Sequence, residues 1–259
     1  MISVVLATYN EEKNLERCLD SVKGFADEIV IVDGSSTDKT REIARKLGAR
    51  VIKTTNKPIF HINKQMAMDE AKYQLVLQLD ADEVVDEELA EFIVELDNLL
   101  EKKPSQVSEK AWWIKRKNNF LGHWLKKGGQ YPDPVIRLYI KGKASLPQES
   151  VHEQMEVDGK VGTADGHLLH YSNPQFSDYL RKFKTYTQLE ASKLFKDNQK
   201  LSITFIVQYL LVKPFITFFL LLFRHKGFVD GVYGFIFALM SSLHYPTIFF
   251  KFVQIKLFK

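Results

Sequence analysis

The run Leu75-Val76-Leu77-Gln78-Leu79, followed at once by Asp80-Ala81-Asp82, constrains this chain more than any other stretch. Its mostly apolar residues read as a buried strand, and that strand delivers two carboxylates to its own tip. Open α/β sheets place their ligands there, outside the carboxyl ends of the strands. Side chains alternate along an extended segment, so Asp80 and Asp82 are expected on the same side. Two clustered carboxylates repel unless a cation joins them, and oxygen donors of this kind suit Mg2+ or Mn2+. An isolated Asp-x-Asp is equally an ordinary acidic turn; two further strand ends upstream give it weight.

The first hundred residues alternate strand and helix. Residues 3–7 read as a buried strand, followed by a helix carrying Leu15, Leu19 and Val22. Residues 28–32 form a second strand, and the next helix carries Ile43, Ala44 and Leu47, with Gly48 placed to end it. A short strand at 50–54 and a helix near 62–72 lead into the strand at 74–79. Asp86, Glu87 and Glu88 then open a helix whose Leu89, Phe92, Ile93, Leu96 and Leu100 make one stripe. Repeated βα units imply an α/β fold with a mainly parallel, doubly wound sheet. The texture changes at Lys102-Lys103-Pro104-Ser105, after which come short β-like runs rich in aromatics, Gly and Pro, and a helix from Asn173-Pro174. Three parts are therefore expected: a mainly parallel half at 1–105, a smaller mixed half at 106–200 and a helical, membrane-associated tail at 201–259.

Charge separates the third part from the rest. Residues 201–259 hold six Lys or Arg against the single acid Asp230, a net +5 within a chain of net +4, so the other 200 residues carry −1. The basic excess sits in the most apolar segment, which points to an anionic membrane surface rather than to nucleic acid. Residues 203–223 could span a bilayer with a kink at Lys213-Pro214, although Lys213 would then cost about 2.5–3.5 kcal/mol at mid-membrane. Helices lying in the interface are favoured over one span. The single cysteine, Cys18, excludes an intramolecular disulfide and fits a reducing compartment. Met1 leads directly into Ile2-Ser3-Val4, with no secretory leader ahead of the first strand.

Two more strand ends accompany the first. One is Thr8-Tyr9-Asn10-Glu11-Glu12 and the other Asp33-Gly34-Ser35-Ser36-Thr37-Asp38. Neighbouring parallel strands bring all three to one sheet edge, where each suits part of a nucleoside diphosphate. Asp33 can accept from a base N–H. The Gly34-Ser35 turn exposes amides and opens a helix, which favours anions. Asp82, with Asp80 beside the ribose, can hold a metal that neutralises the diphosphate.

At these residues the chain resembles glycosyltransferase family 2, nucleotide-sugar-dependent enzymes of GT-A fold. The resemblance rests on Val4-Val5-Leu6-Ala7-Thr8-Tyr9-Asn10-Glu11-Glu12, Ile29-Val30-Ile31-Val32-Asp33-Gly34-Ser35-Ser36-Thr37-Asp38 and Leu79-Asp80-Ala81-Asp82-Glu83. Beyond them, Pro132-Asp133, Arg137-Leu138-Tyr139, Val151-His152-Glu153, His170-Tyr171-Ser172 and Phe228-Val229-Asp230-Gly231 are similar to a branch that includes lipopolysaccharide core β-1,4-glucosyltransferases.

The resemblance implies an inverting transfer of a sugar from a UDP-sugar to a hydroxyl of a lipid-linked or lipopolysaccharide-type acceptor. The expected place is the cytoplasmic face of the inner membrane. It also implies that Thr8, Tyr9, Asn10, Glu11, Asp33, Gly34 and Ser35 border the nucleotide, and that Asp80 and Asp82 hold Mn2+ or Mg2+. His152 or His170 could complete that sphere. Lys57, Lys64 and Arg137 could reach the diphosphate, and Asn63 and Gln65 flank Lys64. A carboxylate must take the acceptor proton. Relatives place it in a Glu-Asp pair that is missing here, so Glu153 is the candidate base with Glu149 behind it. Trp112, Trp113 and Trp124 are candidates for sugar stacking or for plain core packing. A nucleotidyltransferase of related fold is the enzymatic rival, but it needs a Gly-rich basic loop after the first strand, where this chain has no glycine before Gly24. A membrane-bound nucleotide-sugar sensor is the non-catalytic one.

Overall fold

The computed structural model describes residues 1–57, 59–147 and 154–258. It divides into two compact units, Met1–Arg116 with Pro134–His170, and Lys117–Asp133 with Tyr171–Lys259. Compactness thus cuts the chain differently from the three-part division suggested by its texture.

The first unit starts with β1 (Ile2–Thr8), α1 (Leu15–Asp20), β2 (Glu28–Asp33), α2 (Thr40–Lys46), β3 (Arg50–Lys53), α3 (Phe60–Asp69), β4 (Leu75–Leu79), β5 (Glu83–Val85) and α4 (Glu87–Lys102). It continues through β6 (Glu109–Phe120), then, beyond β7 (His123–Trp124), β8 (Asp133–Ile140), β9 (Ala144–Ser145), β10 (Glu156–Val157) and β11 (Lys160–Asn173). The sheet order is β3-β2-β1-β4-β8-β6-β11-β5. Strands β3, β2, β1 and β4 are parallel in the described register, whereas β8 runs antiparallel to β4 and β11 antiparallel to β5. The sheet is therefore mixed; only its first four strands follow the parallel pattern expected from the βα repeats. The departure begins where helical crossovers stop, because antiparallel neighbours need no helix between them.

Period-two alternation puts the core on two faces of β1. Val4 and Leu6 face Leu15, Leu19, Ile31 and Leu77, while Val5 faces Val30, Ala67, Met68 and Val76. Cys18 is buried in the first of these layers, and burial pushes its thiol pKa up, followed by the charge of Glu83. Asp86 caps α4, accepting from Leu89 N at 3.0 Å, and Leu89, Ile93, Leu96 and Leu100 are its buried stripe.

The second unit contains the two-residue hairpin partner β7, α5 (Phe176–Lys196), α6 (Ile203–Val207), α7 (Lys213–Phe219) and α8 (Gly231–Phe258). Wide π turns at Gln208–Val212 and Leu220–Arg224 join α6 to α7 and extend α7. Pro214 lies at the start of α7, directly after the first π turn. Phe205, Ile248, Phe249 and Phe252 form a small core with Ala191 of α5.

Candidate active site

The two aspartates do not lie on an extended segment. Glu83 N donates to Asp80 O at 2.9 Å, closing a tight turn between β4 and β5. Alternation does not operate through such a turn, so the strand argument for a same-side placement lapses; the carboxylates have different nearest partners. Asp80 meets Lys64 Nζ at 2.5 Å and Arg137 Nη2 at 2.6 Å. Asp82 meets His170 Nε2 at 3.4 Å. The second pairing follows from sheet register, because β11 runs antiparallel to β5 with His170 opposite Glu83.

Beneath the turn lies a buried polar layer that sequence inspection missed. Glu83 is fully buried; it accepts from Asp80 N at 2.9 Å and lies 3.2 Å from both Arg137 and Arg116. Gln78 accepts a very short bond from Arg137 Nη1. A lone glutamine inside an otherwise apolar strand was the available signal. Arg116 and Glu83 carried none, since each is an ordinary charge until strands β6, β8 and β5 assemble.

The electrostatics follow from this packing. Burial alone would raise the Asp80 pKa, but Arg137 and then Lys64 outweigh it and hold the carboxyl well below the usual range. Burial lowers the pKa of Lys64 and Asp80 only partly restores it. Burial also opposes the charge on Arg137, yet Asp80 and Glu83 push its pKa above the ordinary value. Lys64, Arg116, Arg137 and Asp80 line a cavity of about 200 Å³, with His61 and Phe60 at its wall.

The other two strand ends are stitched together. Asn10 N donates to Ser36 Oγ at 2.9 Å, Thr37 N to Asn10 Oδ1 at 2.8 Å, and Glu11 N to Thr40 Oγ1 at 2.8 Å. Asn10 and Ser35 both hold positive φ, at 56° and 66°, an uncommon conformation for residues with a side chain. Gly34 leaves room for the chain at Asn56, whose Cα would lie 3.1 Å from an added Cβ. Asp33 is completely buried, and its oxygens accept from Ser36 N at 3.0 Å, from Ser36 Oγ and from Thr8 Oγ1 at 3.3 Å, with Arg41 Nε at 3.4 Å. This carboxylate fastens the β2 turn, a duty the sequence did not suggest. Tyr9 is half exposed beside it.

The remaining candidates fall in different places. Asn63 is buried and donates to Thr55 O at 3.1 Å, while Gln65 binds Asp69 and accepts from Leu146 N. Trp112 is buried in the core of the first unit. Trp113 packs against its second layer, and Trp124 sits edge-on to Tyr171 in the second unit. Glu149, His152 and Glu153 lie outside the described residues. Among the described residues, the group of three whose potential ligand atoms lie within 4.8 Å of one another is Asp86, Glu88 and His167, not the acids of the β4–β5 turn. There Asp86 is engaged as the α4 cap and accepts from His167 N at 2.8 Å.

For a divalent cation, the turn offers two carboxylates and an imidazole nitrogen, a donor set that suits Mn2+ or Mg2+. Asp82 with His170 fits best, since Asp80 already meets two protein cations.

The family model described as glycosyl transferase family 2 matches residues 3–134, half of the chain. The chain belongs to glycosyltransferase family 2. This glycosyltransferase has the GT-A fold, and the matched stretch contains all three strand-end loops. It is 31% identical over 246 residues to an uncharacterized glycosyltransferase of Rickettsia typhi, covering 89% of this chain and 82% of that one. It is 28% identical over 254 residues to the lipopolysaccharide core biosynthesis glycosyltransferase LpsC of Rhizobium meliloti, covering 94% and 88% respectively. The solved structure of S. aureus TarS 1-349 in complex with UDP aligns over 88% of this chain and 74% of that one, with 18% identity and a TM-score of 0.48.

Proposed function

We propose that this glycosyltransferase moves a hexose from a UDP-sugar to a hydroxyl of a lipid-linked, lipopolysaccharide-type acceptor with inversion, at the cytoplasmic face of a membrane. The observation that carries the proposal is the meeting of Asp80, Asp82, His170, Lys64 and Arg137 at one turn beside a cationic cavity. The likeness to LpsC supports the acceptor class.

In this proposal the donor's diphosphate enters beside Lys64, Arg116 and Arg137. These side chains are preorganised by Asp80, Glu83 and Gln78, so little reorganisation is needed as charge develops on the leaving group. A divalent cation held by Asp82, His170 and Asp80 would add positive charge against the departing diphosphate. Tyr9, Asn10 and the Gly34-Ser35 turn border the nucleoside, with Thr8, Glu11 and Asp33 fixing those loops. Glu153 takes the acceptor hydroxyl proton, and Glu149 is the substitute.

The test is a panel of nucleotide sugars with Mn2+ or Mg2+, read by released nucleoside diphosphate. UDP release from a UDP-hexose is expected, abolished by Asp82→Asn and by chelation. Glu153→Gln should cut turnover about 10²–10⁴-fold with donor affinity little changed. Release of GDP or CMP instead, or full turnover under EDTA, overturns the donor or the metal assignment.

A further inference from the structure

Two stretches, Ile203–Arg224 and Gly227–Phe258, are long and apolar enough to cross a membrane, and only 11% and 28% of their most apolar windows are buried. Most of each window is therefore at least partly exposed, with Phe205, Ile248, Phe249 and Phe252 packed into the small core with α5. How the two stretches would meet lipid is decided by what holds their ends and flanks.

The turn between them is fastened to polar chain. Asp230 is buried, accepts from the N–H groups of Lys126 and Lys127 at 2.9 Å each, and lies 3.2 Å from His123 Nε2. Gly128 N donates to His225 O at 2.9 Å. Away from the turn, α8 packs along α5, a helix that carries four Lys, Arg181, Asp178 and Glu190. His244 Nε2 is 3.1 Å from Glu190, Lys251 Nζ donates to Lys184 O at 2.8 Å, and Lys256 Nζ to Gln199 O at 3.1 Å. A spanning α8 would drag this charged helix into hydrocarbon, and its turn would pull the 117–133 segment to the far side. Lys213, near the middle of the other stretch, lies 3.9 Å from the ring centre of Tyr209 and 5.5 Å from that of Tyr245, a position costly at mid-bilayer.

The exposed face is ordered instead for lying flat. Ile203, Val207, Leu211, Phe215, Phe219 and Phe223 recur every fourth residue, and all are 40% or more exposed. A pure α-helix, at 3.6 residues per turn, would spiral such a series around its axis. Here α6 and α7 alternate with π turns, which hold more residues per turn, so the average approaches four and the series stays on one side. Leu211, Phe215 and Phe219 share an apolar groove of about 630 Å³ with Leu239 of α8, itself exposed, so the faces of the two helices meet there.

We propose that Ile203–Arg224 and α8 form an in-plane hairpin immersed in one leaflet of an anionic phospholipid membrane, with acyl chains filling the shared groove. The net +5 of residues 201–259 supplies the attraction to anionic headgroups. This rests on reading the tail as membrane-bound and deepens the interfacial placement expected from the sequence; the hairpin, the line of six residues and the lipid-filled groove are the new elements.

The test uses the full chain and vesicles of phosphatidylcholine with phosphatidylglycerol. The chain should float with them. Single cysteines replacing Val207, Phe215 and Phe223, each carrying a fluorophore, should be quenched to one common shallow depth by depth-graded brominated lipids. The native Cys18 is buried and stays unlabelled. A depth profile that peaks at position 215 and falls off at both flanks would establish a span and overturn the in-plane mode, leaving membrane attachment intact. A chain that stays in solution, whether as a monomer or as a dimer burying this face, overturns membrane attachment as well. As a second measurement free of labels, Leu211→Ser or Phe215→Ser should each lower vesicle partition about tenfold or more, while the exposed side chains leave the fold unchanged. Unaltered partition in both variants refutes the assigned line.

Discussion

Replacing Asp80 by Asn tests the electrostatics of the site before any substrate is involved. The substitution keeps the shape of the side chain but removes the charge that Lys64 meets at 2.5 Å and Arg137 at 2.6 Å. Arg137 keeps Glu83 and Gln78 as partners, so the loss falls mainly on Lys64, whose side chain is only 7% exposed. Stranding a buried cation costs about 3–5 kcal/mol. Asp80 is itself 26% exposed, so water screens part of the pair and the lower figure, about 3 kcal/mol, is expected. For a chain of this size that corresponds to a fall in Tm of about 6–12 °C. Scanning calorimetry without nucleotide or metal reads it directly. Adding Lys64→Met should restore most of the loss, because an apolar side chain of similar length needs no counter-charge. A wild-type Tm in Asp80→Asn, or a double variant no better than the single one, would refute the description of Asp80 as the counter-ion of Lys64.

Asp33→Asn places an amide among donors that all need an acceptor, so a loss of about 1.5–3 kcal/mol is expected, together with weaker UDP binding by calorimetry; unchanged melting and affinity would dismiss both roles. Burial tends to raise the Glu28 pKa, but the Lys72 N–H, the Ser3 hydroxyl and Arg50 lower it overall. A depressed carboxyl contributes stability above its unfolded pKa of about 4.3 and loses it as pH falls further. Stability should therefore drop more gently below about pH 4.5 in Glu28→Gln, and parallel acid curves would count against it. Gly234 has no room for a side chain, since a Cβ there would lie 1.9 Å from Gly227 O. Gly234→Ala should cost about 1–3 kcal/mol and expose the 225–230 turn to proteolysis, while a resistant turn would contradict this packing.

The parallel half of the fold was legible because its elements are local. Short apolar runs such as Val4-Val5-Leu6 and Val30-Ile31-Val32 declare themselves as strands, and the stripe of α4 repeats over three turns. The three strand-end loops followed, since topology alone sends them to one edge. What escaped was whatever depends on distant pairing. Asp82 meets His170 only because β5 finds β11, and the antiparallel β8 brings Arg137 onto β4. The strand argument for aligning Asp80 with Asp82 failed for a different reason: a single backbone hydrogen bond bends the segment, and strand alternation says nothing about turns. Asp33 was expected beside the nucleotide base, whereas its bonds to Ser36 and Thr8 needed coordinates.

The alternation of α and π turns between Ile203 and Arg224 makes chain length, rather than residue identity, the sensitive variable there. A π turn holds about one residue more than an α turn, so one deletion within Gln208–Val212 would leave an α turn and keep its flanks in phase, whereas one deletion within α7 would rotate them by about 100°. Exchanging one apolar side chain for another leaves that phase untouched. Apolar substitutions should therefore be tolerated throughout this stretch and single-residue deletions within the two π turns, while insertions or deletions inside α6 or α7 should break the exposed line.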